Sequence, residues 1–215
     1  MDKRRPIKSR SNPLMIQLAQ WLSQKAITPN QISLFSILPA FLTLFTLGFW
    51  TSDLSRATQL LLLFLTLILI QLRLLCNLID GMVAIEGGKV TPAGELFNEV
   101  PDRVSDTFFF IALGMSLGSS TGFSLGLLAA LMAALTAYVR VLGVSMGAPP
   151  FFSGPMAKQQ RMALMTFAII ATMIGLFFDL STLFLEIALW LIIIGSFITV
   201  LHRLGQIYRY KNNRL

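Results

Sequence analysis

A chain of 215 residues that is 55% hydrophobic and only 13% charged carries more apolar surface than a water-soluble core can hide. Apolar stretches of about 20 residues, the length that crosses a bilayer, recur along most of it. Soluble enzymes, disordered tails and secreted disulfide scaffolds are excluded, and an integral membrane protein is expected. Lys and Arg outnumber Asp and Glu by 17 to 10, for a net charge of +7. The basic residues collect at the ends of apolar spans, which points to lipid and an anionic substrate and not to nucleic acid.

In chain order, the opening MDKRRPIKSR holds five of the 17 basic side chains, and Gln17, Gln20 and Gln24 then form one stripe of an otherwise apolar segment. This predicts a basic N-terminus and an amphipathic helix lying on the membrane surface over residues 1–28. A signal peptide is the competing reading, weakened by the regularly spaced Gln and the lack of a small-residue cleavage pattern. Apolar windows then place spans near 31–50, 57–78, 122–143, 157–178 and 182–204. A sixth span is hidden. Residues 107–118 supply roughly 18 Å of helix where about 30 Å must be crossed, so this span has to borrow residues 95–106. The fold class expected is therefore all-α: six transmembrane helices over 29–205 as one domain, with a basic tail at 206–215.

Six spans return both termini to one side. Of the Lys and Arg residues, the loops near 51–56, 119–121 and 179–181 hold only Arg56, whereas the opposite side collects the N-terminal cluster, Lys89, Arg140, Lys158, Arg161, Arg203, Arg209, Lys211 and Arg214. Both termini are thus expected in the cytoplasm of a cell-membrane protein. Trp21, Trp50, Tyr208 and Tyr210 fall near predicted interfaces, while Trp190 sits mid-span and reads as packing. Cys76 has no partner for a disulfide or a thiolate metal site and also reads as packing.

Six of the 10 acidic residues (Asp80, Glu86, Glu95, Glu99, Asp102 and Asp106) crowd around the end of the second span and the borrowed half of the third. Asn98, Asp102 and Asp106 recur at i, i+4 and i+8 and share one helix face; Asn77 and Asp80, at i and i+3, share another. Two antiparallel helices joined by the turn at Gly87, Gly88, Thr91 and Pro92 can aim these oxygens at each other. Carboxylates gathered in a poorly hydrated site repel, and a hard divalent cation, Mg2+ or Mn2+, relieves that repulsion. The plainer alternative is a solvated loop neutralised by Lys89 and Arg103, preferred for Glu86 and Glu95. Gly81 and Gly94 serve either as helix-packing glycines or as places where a bulky ligand approaches the backbone. Arg140, Lys158 and Arg161 serve either as positive-inside anchors or as a cationic pocket for an anionic polyol. Arg73, about two turns inside the second span from Asp80, must pair inward or snorkel.

The stretch 77–106, NLIDGMVAIEGGKVTPAGELFNEVPDRVSD, resembles the signature of the CDP-alcohol phosphotransferases: Asp, two residues, Asp-Gly, two residues, Ala-Arg, eight residues, Gly, three residues, Asp, three residues, Asp. Asp80, Gly81, Ala84, Gly94 and Asp102 fall on it without a gap. Asn77 and Asn98 stand where the family has Asp, and Ile85 where it has Arg. Asn-x-x-Asp-Gly together with Asn-Glu-x-x-Asp-x-x-Ser-Asp resembles a variant subgroup. The resemblance reaches residues 27–33 (ITPNQIS), Tyr138, Val139 and Arg140, and Gly154 through Lys158 to Arg161.

The resemblance implies one or two divalent ions, Mg2+ or Mn2+, held between spans two and three and gripping the diphosphate of a CDP-linked lipid. It makes Asp80 a metal ligand, Asn77 and Asn98 ligands by position, and Asp102 a ligand or general base. Asp106 and Glu99 could restore the charge lost at the two Asn. Gly81, Ala84 and Gly94 would lie along the CDP moiety, and Arg140, Lys158 and Arg161 would bind an anionic acceptor. The implied activity is transfer of a phosphatidyl group from CDP-diacylglycerol to a small polar alcohol, with release of CMP, by a homodimer. The rivals are a catalytically inert binding or assembly relative, which the three departures favour, and a transporter, which would need polar groups spread through several spans.

Overall fold

The computed structural model describes residues 13–25, 27–89, 91–180 and 182–213. The basic segment 1–12 and Arg214 lie outside them. The described residues form an all-helical bundle: α1 (Pro13–Ser23), α2 (Pro29–Phe35), α3 (Ile37–Gly48), α4 (Arg56–Glu86), α5 (Gly94–Met115), α6 (Ser120–Ser145), α7 (Lys158–Gly175), continued by a 3-10 turn at Leu176–Phe178, and α8 (Leu183–Asn212).

Among the described residues, five stretches are long and apolar enough to cross a membrane: Pro29–Gly48, Arg56–Ile85, Ser120–Ser145, Lys158–Phe178 and Leu183–Asn212. They match the five windows legible in the sequence. Helix α5 includes the borrowed residues 95–106, and its 22 residues make about 33 Å of helix. Pro101 lies inside it and is buried, so the Phe97 carbonyl loses its usual intrahelical donor.

Each start has a local cause. Thr28 caps α2 reciprocally, its hydroxyl accepting from Gln31 N at 3.3 Å while Gln31 Oε1 accepts from Thr28 N at 2.9 Å; Pro29 follows at the first helical position. Ser55 and Ser119 accept from Thr58 N and Gly122 N to start α4 and α6.

Helix α5 packs most extensively against α6 and α3. Between helices in lipid, close backbone approach replaces the hydrophobic effect as the source of stability. A Cβ built on Gly126 of α6 would fall 2.5 Å from the Phe110 carbonyl of α5, and one on Gly114 of α5 would fall 2.6 Å from the Gly122 carbonyl. Glycine is required there because the backbones touch. Phe109, Phe110, Leu113, Met165, Ile169 and Leu189 fill the main core around this seam.

Helix α1 lays Ala19 against Ile79, Met82 and Val83 of α4, leaving Gln17 and Gln20 exposed. The ammonium of Lys89 donates to the carbonyls of Ser23 (2.8 Å), Lys25 (3.1 Å) and Ile27 (3.2 Å), so Lys89 secures the end of α1.

The segment expected as a basic tail from 206 is helical to Asn212, the end of α8, with Ile207 buried against Gly143. One expectation differs. Trp190 is 45% exposed, since the inward face of α8 is taken by Ala188, Leu189, Ile192, Gly195 and Ser196.

Candidate active site

Helix α4 places Arg73, Asn77 and Asp80 at i, i+4 and i+7, and α5 places Glu99, Asp102 and Asp106 at i, i+3 and i+7, so each set occupies one helix face. Asp80 and Asp102 are 6% exposed and Asp106 3%. Carboxylates this buried need partners, and every one has them.

Asp80 Oδ2 accepts from the Ser33 hydroxyl at 2.5 Å, which ties α2 to α4. Asp102 Oδ1 accepts from Arg73 Nη2, from Asn77 Nδ2 at 3.2 Å and from Lys158 Nζ at 2.5 Å, while Arg103 Nη2 stands 3.7 Å from Oδ2. Asp106 Oδ2 accepts from Arg161 Nη2 at 2.9 Å. Both Glu99 oxygens lie 2.6 Å from Arg140 Nη2, and Arg103 Nη2 is 3.3 Å from Glu99 Oε2. Acids on α5 are thus answered in layers by cations from α4, α6 and α7. Asp80 lies within electrostatic reach of Asp102 and Lys158, and Lys158 within reach of Asp102, Arg73 and Asp106.

The first turn of α7 is held from three directions. Arg161 Nη1 donates to Thr136 Oγ1 at 3.1 Å and to the Met156 carbonyl at 3.0 Å while its other terminal nitrogen binds Asp106. Arg203 of α8, 4% exposed, donates through Nε to the Ser153 carbonyl at 3.0 Å and through Nη1 to the Thr136 carbonyl at 2.5 Å. Gly154 sits at φ +130°, a conformation L side chains rarely adopt, and lets the connection turn into α7. These contacts set Lys158, the first residue of α7, over Asp102.

The residues singled out in the sequence separate accordingly. Asn77 and Asp102 come together, and Asp80 lies within electrostatic reach of Asp102. Asp106 lies one helical turn further along α5 and serves Arg161. Asn98 is exposed, one turn before Asp102. Gly81 and Ala84 are half-buried on α4; Gly94 is half-buried where α5 begins, and a Cβ there would meet only Thr91 Oγ1, at 3.5 Å. Arg140, Lys158 and Arg161 do not share one open pocket: each is committed to a different acid of α5. Ile85 is 53% exposed. Arg73 does pair inward. The Ser33–Asp80 bond and the Glu99–Arg140 pair were not anticipated; Ser33 lay in the 27–33 segment already marked by resemblance, and nothing in the spacing of Glu99 pointed to α6.

Among the described residues, Arg73 Nε and Nη1, Arg161 Nε and Ser105 Oγ are buried without a hydrogen-bond partner. Ordered water or ligand oxygens would satisfy them.

No family model and no curated protein matches the sequence. Among solved structures the chain is similar to phosphatidylinositol phosphate synthase (PgsA1) of Mycobacterium tuberculosis. The complex with manganese and citrate superposes with a TM-score of 0.72 at 17% identity, over 90% of this chain and 88% of that one. The structure with CDP-DAG bound gives 0.72 at 18%, over 91% and 94%, and the apo form 0.69 at 18%, over 89% and 95%. This chain has the phosphatidylinositol phosphate synthase fold. At this identity the likeness shows the fold, and it covers about nine-tenths of the chain.

Proposed function

We propose that the protein is a CDP-alcohol phosphotransferase that moves a phosphatidyl group from CDP-diacylglycerol to a small polar alcohol and releases CMP. The observation that carries this reading is the burial of Asp80 on α4 and Asp102 on α5 within electrostatic reach of each other, with Asn77, Arg73 and Lys158 gathered on Asp102. It is supported by a fold shared with a protein solved with CDP-DAG bound. In this reading α5 is the sixth span and both termini face the cytoplasm, the side on which Lys89, Lys158 and Lys211 lie.

The donor set is all oxygen (the carboxylates of Asp80 and Asp102 and the amide oxygen of Asn77), which fits one hard divalent cation, Mg2+ or Mn2+. It does not favour two. Among the described residues no three His, Cys, Asp or Glu side chains converge, Asn77 contributes no charge, Asn98 is exposed and Asp106 is taken by Arg161. When bound, such an ion supplies charge neutralisation to the diphosphate and the leaving CMP.

The chain's own residues do the rest. The acceptor hydroxyl attacks the β-phosphorus; its oxygen forms the new P–O bond as the bond from that phosphorus to the oxygen of CMP breaks. Asp102 accepts the hydroxyl proton at Oδ2, because Oδ1 is occupied by Arg73, Asn77 and Lys158. Ser33 holds the Asp80 carboxylate in orientation. Gly81, Ala84 and Gly94 line the approach of the cytidine, and Arg140 and Lys158, each partly exposed, offer charge to an anionic acceptor.

The saturation of Asp102 by cations favours a second reading, a protein that binds the CDP-lipid without turning it over. A CMP-release assay in detergent with CDP-diacylglycerol, Mg2+ or Mn2+ and a panel of free and phosphorylated polyols decides between them. Metal-dependent CMP release with one acceptor establishes the enzyme; donor binding without release for any acceptor establishes the second reading.

A further inference from the structure

Three cations approach Asp102, and they are not equivalent. Arg73 is buried, with its side chain 2% exposed, and is fixed in the middle of α4. Arg103 stands off at 3.7 Å and is shared with Glu99. Lys158 is closest among those free to leave: its Nζ is 2.5 Å from Oδ1, its side chain is 24% exposed, and it begins α7 on a flexible four-carbon stem.

Charge makes the distinction matter. Arg73 and Lys158 already set two positive charges against the carboxylates of Asp80 and Asp102, and Arg103 stands by as a third cation, so no negative charge is left over for a metal ion. A divalent ion entering beside both cations would leave a large uncompensated positive charge in a buried place. An Asp at position 77, whose side chain reaches Asp102, would offset part of that charge.

We infer that the Lys158 ammonium is a tethered cation seated where a divalent ion would otherwise sit on Asp102, so that ion binding requires Lys158 to withdraw or requires an incoming diphosphate to balance it. Metal affinity is therefore set by Lys158 as much as by the oxygen ligands. In the absence of donor the site holds metal weakly. When the diphosphate arrives, its negative charge receives Lys158, and ion and donor enter as a nearly neutral pair.

This inference rests on the single-ion site proposed above but not on turnover, and its test contains neither donor nor acceptor. Full-length protein in detergent is titrated with Mn2+ and the loss of the free-ion electron paramagnetic resonance signal is followed, for wild type, Lys158→Met and Lys158→Arg. Removing a like charge next to the ion is expected to tighten Mn2+ binding on the order of tenfold or more in Lys158→Met. Lys158→Arg, which keeps the charge, is expected to stay at or below wild-type affinity. Equal or weaker binding by Lys158→Met overturns the inference, as does absence of binding in both. Thermal melting checks that the variants are folded; should Lys158→Met not be, Lys158→Gln carries the same comparison. CMP release with no tightening in Lys158→Met would sink the inference and leave the enzyme reading standing, and tightening without CMP release would do the reverse.

Discussion

Arg161 of α7 and Asp106 of α5 form a salt bridge of 2.9 Å whose side chains are 1% and 4% exposed, in a layer that also includes Thr136. Removing one partner leaves the other charged and buried, which costs about 3–5 kcal/mol, whereas replacing both with apolar groups of similar size costs far less. Asp106→Ala is therefore expected to lower the melting temperature sharply, and Asp106→Leu with Arg161→Met to recover most of it. Because Asp106 serves Arg161, Mn2+ affinity of the folded Asp106→Ala protein should stay near wild type. A large loss would return Asp106 to the metal site.

Asp102→Asn keeps an oxygen that can accept from Arg73 and Lys158, so folded protein is expected in normal yield. It loses the group placed to accept the acceptor's proton. CMP release should fall by at least about 100-fold, the low end for loss of a positioned general base. Activity within threefold of wild type would remove Asp102 from that role.

Ser33 tests whether Asp80 must be held in place. Its hydroxyl lies 2.5 Å from Asp80 Oδ2 and 3.1 Å from the Pro29 carbonyl, so its single proton serves the carboxylate. A hydrogen bond to a charged group contributes about 1.5–3 kcal/mol. In Ser33→Ala, kcat/KM for the CDP-lipid is expected to fall about tenfold or more at unchanged KM for the acceptor alcohol. Ser33→Thr, which keeps the donor, should restore most of it; a purely structural role would move both constants together.

The spans were legible because lipid selects for length and apolarity, and both are local properties of the sequence. Helix α5 was legible for a different reason: the apolar run at 107–118 is too short for a span by itself, and joining it to the segment carrying Asp102 and Asp106 gives the single helix Gly94–Met115. That Asn77 and Asp80 share one face of α4, and Asp102 and Asp106 one face of α5, followed from spacing, since residues three or four apart share a face. Partners from distant helices did not. Arg140 on Glu99, Lys158 on Asp102 and Lys89 on the carbonyls at the end of α1 depend on how α6, α7 and α1 are rotated about their axes. In a bilayer most helix faces are equally apolar, so that rotation leaves little mark on hydropathy. Trp190 shows the same limit: its outward direction is set by the small and aliphatic residues that take the inward face of α8.

The seam between α5 and α6 should be intolerant of a single methyl group. In Gly126→Ala the new carbon would lie 2.5 Å from the Phe110 carbonyl, a backbone atom that cannot rotate away, so the helices must separate. Overpacking of this kind costs about 1–3 kcal/mol. The melting temperature should fall, and CMP release with it, because α5 carries Asp102. Gly205→Ala, where a Cβ meets no atom within 4 Å, serves as the control and should behave as wild type.

Asn77→Asp separates the role of charge from that of geometry. The Asn77 amide now donates to Asp102 Oδ1 at 3.2 Å, a bond that an ionised Asp cannot make. Without metal, the variant places like charges together and should melt at a lower temperature than wild type. With Mn2+ present the added carboxylate becomes a ligand, so the same variant should gain more stability on metal addition than wild type does, in proportion to its tighter binding. Melting curves of both proteins with EDTA and with excess Mn2+ give the two differences directly. A metal-induced gain no larger in Asn77→Asp than in wild type would mean that residue 77 does not face the ion, and that Asp80 and Asp102 alone define the site.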